Sequence, residues 1–255
     1  MAVDFRRDGV RSSPVWDVLS AVVSARAAAT GRTALDIVDV GGGTGGLAVP
    51  FAVLGHNVTV VDPSPDALAA AQRRAAEAGA RLTSVQGEAA SLDSLVGPAD
   101  LVICHNVLEY VDEPAAAMSA IARVLRPSAT VSVLASNAVA AILHRALAGR
   151  FAEARVLLIS GGTTPVDPPR TGGLPAPPFP PGRRFTLPEL TALLEQAGLR
   201  AGEAHGLRIF TGLVPGALLD GDAAATEALR ALEEAAASIP PLRDIATQLH
   251  VLGHR

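Results

Sequence analysis

Between Ile37 and Leu68 the chain reads IVDVGGGTGG, then an apolar stretch, then VTVVDPSPDAL, and few folds accept that order. An apolar strand carrying Asp39 runs into a glycine-rich turn and a helix, and a second strand follows that closes on Asp62. This is a βαβ unit of the kind that handles nucleotides. A ligand lying across the end of the first strand needs the backbone to come close, and any Cβ there would obstruct it. Gly41, Gly43 and Gly45 supply positions without one.

The helix after the turn points its free N–H groups and positive dipole end at the ligand. Asp62, with Pro63 beside it, sits where a carboxylate accepts both ribose hydroxyl protons. The glycines alone leave the nucleoside open, because Gly41, Gly43 and Gly46 also satisfy the dinucleotide pattern G-x-G-x-x-G. Asp39 discriminates. An acid beside the turn repels an anionic pyrophosphate, whereas S-adenosylmethionine presents a cationic amino group and a sulfonium there. With an acid two residues before the first glycine, the segment resembles motif I of the class I methyltransferases. The competing reading is a glycine turn that merely joins strand to helix.

The 255 residues, about half of them hydrophobic, suffice for one α/β domain, 1–255, with an added lid. The net charge is −4 and all 21 basic residues are arginines, so no global basic field draws in nucleic acid. Any RNA contact must be local. A lone cysteine, Cys104, in the apolar run from Asp100 excludes an internal disulfide and a multi-cysteine metal site, and no metal is expected. A buried strand thiol fits a reducing cytoplasm. The N-terminus lacks the apolar run of a signal peptide, and no run of 18 apolar residues follows, so neither membrane attachment nor an obligate protein partner is expected.

Helical spacing over Val15–Ala29 precedes strands at Leu35–Val40, Val58–Asp62, Arg81–Gln86, Leu101–Cys104 and Ala129–Ala135, with helices at Pro65–Ala78 and Pro114–Leu125 between them. Such alternation predicts a parallel, doubly wound sheet. After Asn137 a helical run to Leu147 continues into Phe151–Ile159. Gly161–Arg184 is then crowded with proline and glycine, so residues 138–185 read as an insertion or lid. A helix over Leu187–Ala197 capped by Gly198, a strand over Leu207–Phe210, a helix over Ala223–Ala237 and a strand over Ile245–Leu252 complete a seven-stranded sheet.

Glu88, with Ala89 after it, stands where the methyltransferase resemblance sets an acid against the adenine amino group, and a carboxylate accepts that N–H. The segment HNVLEYV from His105 follows the fourth strand, where open α/β sheets present their ligand crevice. His105 is the catalytic candidate there, as general base or as a hydrogen-bonding anchor. Glu109 and Tyr110 follow it.

Around His105 the chain is similar to the bacterial tRNA 5-carboxymethoxyuridine methyltransferases. The likeness covers Arg11 five residues before Trp16, the GGGTG turn, Gly55–Val58, HNVLEYV, VLRP from Val124, Asn137, His144, Ala148–Phe151, Leu194–Gly198, Gly206–Phe210 and Leu249–Val251. The resemblance implies a Rossmann-like sheet, S-adenosyl-L-methionine as cofactor and tRNA as partner. It pairs Arg11 with the cofactor carboxylate and turns Asn137, His144 and Arg208 toward the substrate. Arg208 suits a substrate that is itself a carboxylate. A carboxylate nucleophile needs no base, so His105 would orient it. Where that family has a lysine-rich patch, this chain has a nearly neutral segment, Gly161–Gly182, holding only Arg170. Scarce phosphate contacts favour a small-molecule acceptor instead. A noncatalytic cofactor-binding protein and a nicotinamide-dependent oxidoreductase are the remaining alternatives.

Overall fold

The computed structural model describes residues 14–162, 182–214 and 223–255. Arg11, Arg170 and most of the Pro/Gly-rich segment lie outside the described residues. Helix α1 (Pro14–Thr30) leads into β1 (Asp36–Val40), α2 (Ala48–Val53), β2 (Asn57–Asp62), α3 (Pro65–Glu77), β3 (Thr83–Gln86) and the short α4 (Leu92–Leu95). Then come β4 (Ala99–His105), α5 (Pro114–Val124), β5 (Leu125–Ser136), α6 (Ala138–Leu147), α7 (Phe151–Ile159), α8 (Leu187–Gln196), β6 (Arg200–Leu207), α9 (Ala223–Ala236) and β7 (Gln248–His254).

The seven strands form one sheet in the order β3-β2-β1-β4-β5-β7-β6. β1 runs parallel to β2 and β4, β2 to β3, and β4 to β5. Strands in the middle of such a sheet are covered on both faces, which is why β4 carries the apolar run Leu101–Cys104 and is buried through Cys104. Crossing from β1 to β4 reverses the winding and leaves a crevice at the carboxyl ends of β1, β2 and β4.

The parallel, doubly wound alternation expected from the first five strands is present, and the closing strand β7 runs the other way. Along β5 and β7 the partners run oppositely: the Arg255 N–H donates to Ala129 O at 3.0 Å, Thr130 meets His254, and Ser132 meets His250. The sheet is therefore mixed. The strand expected at Leu207–Phe210 also lies earlier, over Arg200–Leu207. Arg208 takes a left-handed φ of 55°, and the Glu233 carboxylate collects the N–H groups of Ile209, Phe210 and Thr211 at 2.7 to 2.9 Å. Those apolar residues form a capped turn, whereas the strand itself is the polar, partly exposed AGEAHG run. A 3-10 turn at Arg243–Ile245 delays the last strand to Gln248.

The described residues form two compact units. One lies within the chain up to Leu134 plus Thr191–Glu203 and His250–Arg255; the other lies within Ala135–Leu190 and Ala204–Leu249. In the first, Leu19, Phe51, Leu92, Met118 and Ile121 are fully buried beside the apolar strands, and Trp16 stacks on Phe51 with ring centroids 4.7 Å apart. In the second, Ile209, Ala236 and Ala246 form a small cluster with Phe210, Leu242 and Ile245.

At the amino end of β4 the first unit buries a charge. The Asp100 side chain is fully shielded, and it accepts from the Asp36 N–H at 3.0 Å, from Arg26 at 3.1 to 3.2 Å, and from Arg32 and Arg126 at 2.6 and 3.1 Å. Four donors from separate segments meet on one carboxylate, at the end of the sheet opposite the crevice.

Candidate functional site

The crevice is built by the ends of β1, β2 and β4. After β1 the Gly41 N–H donates to Val61 O at 2.7 Å and ties the turn to β2. The glycines of the turn do different jobs. A Cβ on Gly41 would run into the Val107 side chain, one on Gly42 would lie 2.7 Å from the Asp39 carboxyl carbon, and one on Gly45 would press within 3.1 Å of Ala71 on α3. These three make room for protein atoms. Only Gly43 fits the expectation of close ligand approach: its Cβ position opens on free space, and its φ of 53° disfavours any side chain. Gly42, which the sequence reading passed over, is needed because Asp39 lies beneath it.

Asp39 is 3% exposed and accepts the Ala48 N–H at the start of α2. Burial pushes its carboxyl up to about 7, with the negative charge of Asp62 adding to the effect and the Ala48 N–H opposing it. Asp62 is also buried. One of its oxygens accepts the Gly43 N–H and the other the Ser64 N–H, each at 2.9 Å. Both bonds use one lone pair per oxygen, so each oxygen keeps another for a hydroxyl donor. Ser64 in turn caps α3, accepting the Ala67 N–H at 3.3 Å, and Pro65 opens that helix. Pro63 is exposed beside Asp62, and its carbonyl accepts from Gln86 at 3.2 Å.

Glu88 precedes the 3-10 turn Ala89–Ser91 without capping it through its side chain; it is exposed, while Ala89 is buried. His105, half-buried at the end of β4, places Nε2 2.7 Å from Ser132 Oγ. Burial drives its imidazole down to about 3, so the ring is neutral at any physiological pH. A neutral ring favours the anchoring role over a titrating base. Asn106, the next residue, takes a left-handed φ of 55°. Glu109 is buried and Tyr110 exposed.

The second unit holds the other three substrate-side candidates. Asn137 gives both amide hydrogens to backbone carbonyls, Asp244 at 2.8 Å and Ala246 at 2.7 Å, and its oxygen caps α6 through the Val139 N–H at 3.0 Å. Its polar atoms are spent on structure, which corrects the expectation of a substrate contact. His144 is half-buried, and burial followed by the Arg145 charge lowers its pKa. Arg208 is exposed and donates through Nη2 to Gln248 at 2.8 Å. Its other guanidinium hydrogens bond no described protein group.

Residues 37–128 match the family model described as a methyltransferase domain. The chain is 31% identical over 145 residues to the tRNA 5-carboxymethoxyuridine methyltransferase of Escherichia coli K12, covering 56% of this chain and 54% of that protein. It is 30% identical over 174 residues to the ubiquinone biosynthesis O-methyltransferase of Xylella fastidiosa, covering 68% and 63%. The chain thus spans between half and two thirds of the length of these relatives. Among solved structures, the magnesium protoporphyrin IX methyltransferase of Synechocystis, crystallised with S-adenosylhomocysteine, aligns over 99% of this chain and 88% of that one, with a TM-score of 0.55 at 19% identity.

Proposed function

Because this chain belongs to the class I S-adenosylmethionine-dependent methyltransferases, we propose that it transfers the sulfonium methyl of S-adenosylmethionine to an oxygen acceptor. The observation that carries this is the acid pair on one glycine turn: Asp62 holding Gly43 at 2.9 Å, and Asp39 buried beneath Gly42. When bound, the cofactor supplies an electrophilic methyl group. The protein's task is then to align and desolvate. Asp62 receives the ribose hydroxyls, Glu88 the adenine amino group, and Asp39 faces the cationic end of the ligand. Arg11 pairs with the cofactor carboxylate in this reading. His105, neutral, orients the acceptor.

The acceptor we favour is the carboxylate of 5-carboxymethoxyuridine in tRNA. The Escherichia coli relative supports it, and so does Arg208, whose open fork suits a carboxylate. The Xylella relative and the absence of lysine favour a second acceptor class, a small hydroxylated metabolite. Residues 138–185 are read as a helical and Pro/Gly-rich insertion or lid of a single domain working in the cytoplasm. None of the described helices is long and apolar enough to cross a membrane. Incubation with labelled S-adenosylmethionine and two pools, tRNA carrying carboxymethoxyuridine and a small-metabolite extract, decides between the acceptors. Label confined to small molecules eliminates the tRNA reading, and label in neither removes the transferase reading.

The raised pKa of Asp39 has a pH consequence. A carboxyl raised from its unfolded value of about 4 to about 7 gains a proton on folding, so its stabilising contribution is complete below pH 4. That contribution is lost as pH rises toward 7. A cationic ligand end near Asp39 restores the carboxylate and expels that proton. Titration with S-adenosylmethionine at pH 6.5, in buffers of different ionisation enthalpy, should therefore reveal proton release, absent in Asp39→Asn. Binding heat independent of the buffer would contradict this role for Asp39.

A further inference from the structure

Inside the first unit three side chains form a chain from the crevice into the sheet. His105 Nε2 lies 2.7 Å from Ser132 Oγ, and Ser132 Oγ lies 2.7 Å from His250 Nε2. Ser132 on β5 and His250 on β7 are completely buried, and the two imidazoles meet edge to face with centroids 5.8 Å apart. His105 has no other hydrogen bond among the described residues, so its Nδ1 is the edge available to a ligand.

Hydrogen counting restricts this chain. A serine hydroxyl owns one proton and must make two bonds, one to each Nε2. It donates to one imidazole and accepts from the other, so one histidine must carry its proton on Nε2 and the other on Nδ1. Two Nε2–H tautomers would both donate to the serine's two lone pairs and leave its own hydroxyl hydrogen without an acceptor among the described residues. Two Nδ1–H tautomers would leave a nitrogen lone pair facing an oxygen lone pair. Ser132 is completely buried, so either mismatch leaves an unmet polar group where it is costly. The tautomers of His105 and His250 are therefore coupled as opposites.

We infer that Ser132 and His250 are positioning residues that fix the tautomer His105 presents to the methyl acceptor. Resting on the proposed carboxylate acceptor, the productive arrangement is His250 Nε2–H to Ser132, Ser132 O–H to His105 Nε2, and a His105 Nδ1–H donor at the crevice. Neutrality of His105 keeps the arrangement intact across the working pH range. A serine alone in the apolar strand from Val131 to Ala135 is the sequence signal for it, and nothing about its spacing connects it to His250.

Nitrogen-15 spectra of histidine-labelled protein with S-adenosylhomocysteine test this directly. The expected result is His105 as Nδ1–H and His250 as Nε2–H. Ser132→Ala should scramble the His105 tautomer and lower kcat about tenfold or more while cofactor affinity stays unchanged. Ser132→Thr, which keeps the hydroxyl, should restore both. If Ser132→Ala does not fold, His250→Gln keeps an N–H facing Ser132 and should preserve the His105 tautomer, whereas His250→Phe should not. Matching tautomers on the two histidines, or a His105 tautomer indifferent to Ser132→Ala, overturns the inference. The spectra need no acceptor, so a failed transfer assay contradicts the functional reading and a wrong tautomer pair contradicts the relay.

Discussion

Asp62→Ala should weaken S-adenosylhomocysteine binding by at least about a hundredfold, since hydrogen bonds to a charged acceptor contribute about 1.5 to 3 kcal/mol each and two ribose bonds are lost. The loss is compounded because the same carboxylate holds the Gly43 N–H and the Ser64 N–H. Without it the open glycine of the turn and the cap of α3 lose their common anchor. Asp62→Asn should fall between wild type and alanine. Its oxygen still accepts one backbone N–H, but its amino group must face the other, donor against donor. Calorimetric titration of the three proteins gives the ranking. An alanine variant that binds like wild type would show that the ribose contact lies elsewhere.

The second large effect concerns stability. Asp100→Ala removes the fully buried carboxylate on which Arg26, Arg32, Arg126 and the Asp36 N–H converge. Breaking a buried pair from one side costs about 3 to 5 kcal/mol. The three arginines are partly exposed, with side chains 15 to 37% accessible, and can turn to water, which favours the lower end. At about 2 to 4 °C per kcal/mol for a chain of this size, Tm should fall by about 6 to 12 °C. Asp100→Asn should cost less, since its oxygen still receives the Asp36 N–H. Because Asp100 lies at the amino end of β4, the fraction that remains folded should bind cofactor normally. Thermal melts with and without S-adenosylhomocysteine check both parts, and a Tm within a degree or two of wild type would contradict the network's role.

The sheet was legible because its strands are apolar runs with punctuation: IVDV, VTVV and LVIC leave little choice, and Gly-Pro-Ser clusters mark their ends. The two acids of the site were legible for the same reason, as polar residues where an apolar pattern leaves no other place for them. Boundaries failed where tertiary contacts outvote propensity. Leu207–Phe210 has a strand's composition, yet Glu233, more than twenty residues away, captures its N–H groups and makes a turn. The direction of β7 was likewise hidden, since alternation of elements predicts parallel neighbours and only long-range pairing with β5 reverses one. Within the glycine turn, sequence gave each glycine the same role. Their individual neighbours, Val107, Asp39 and Ala71, come from three other segments and divide that role. Asn137 was misread for a related reason: its amide partners, Asp244 and Ala246, lie over a hundred residues away.

The central claim is that the turn between β1 and α2 receives S-adenosylmethionine. Calorimetric titration of the folded protein with S-adenosylhomocysteine and, separately, with NAD tests it most directly. Saturable one-to-one binding of S-adenosylhomocysteine with no response to NAD is the result expected. Binding of NAD, or no heat from S-adenosylhomocysteine with protein whose thermal melt is cooperative, would contradict it.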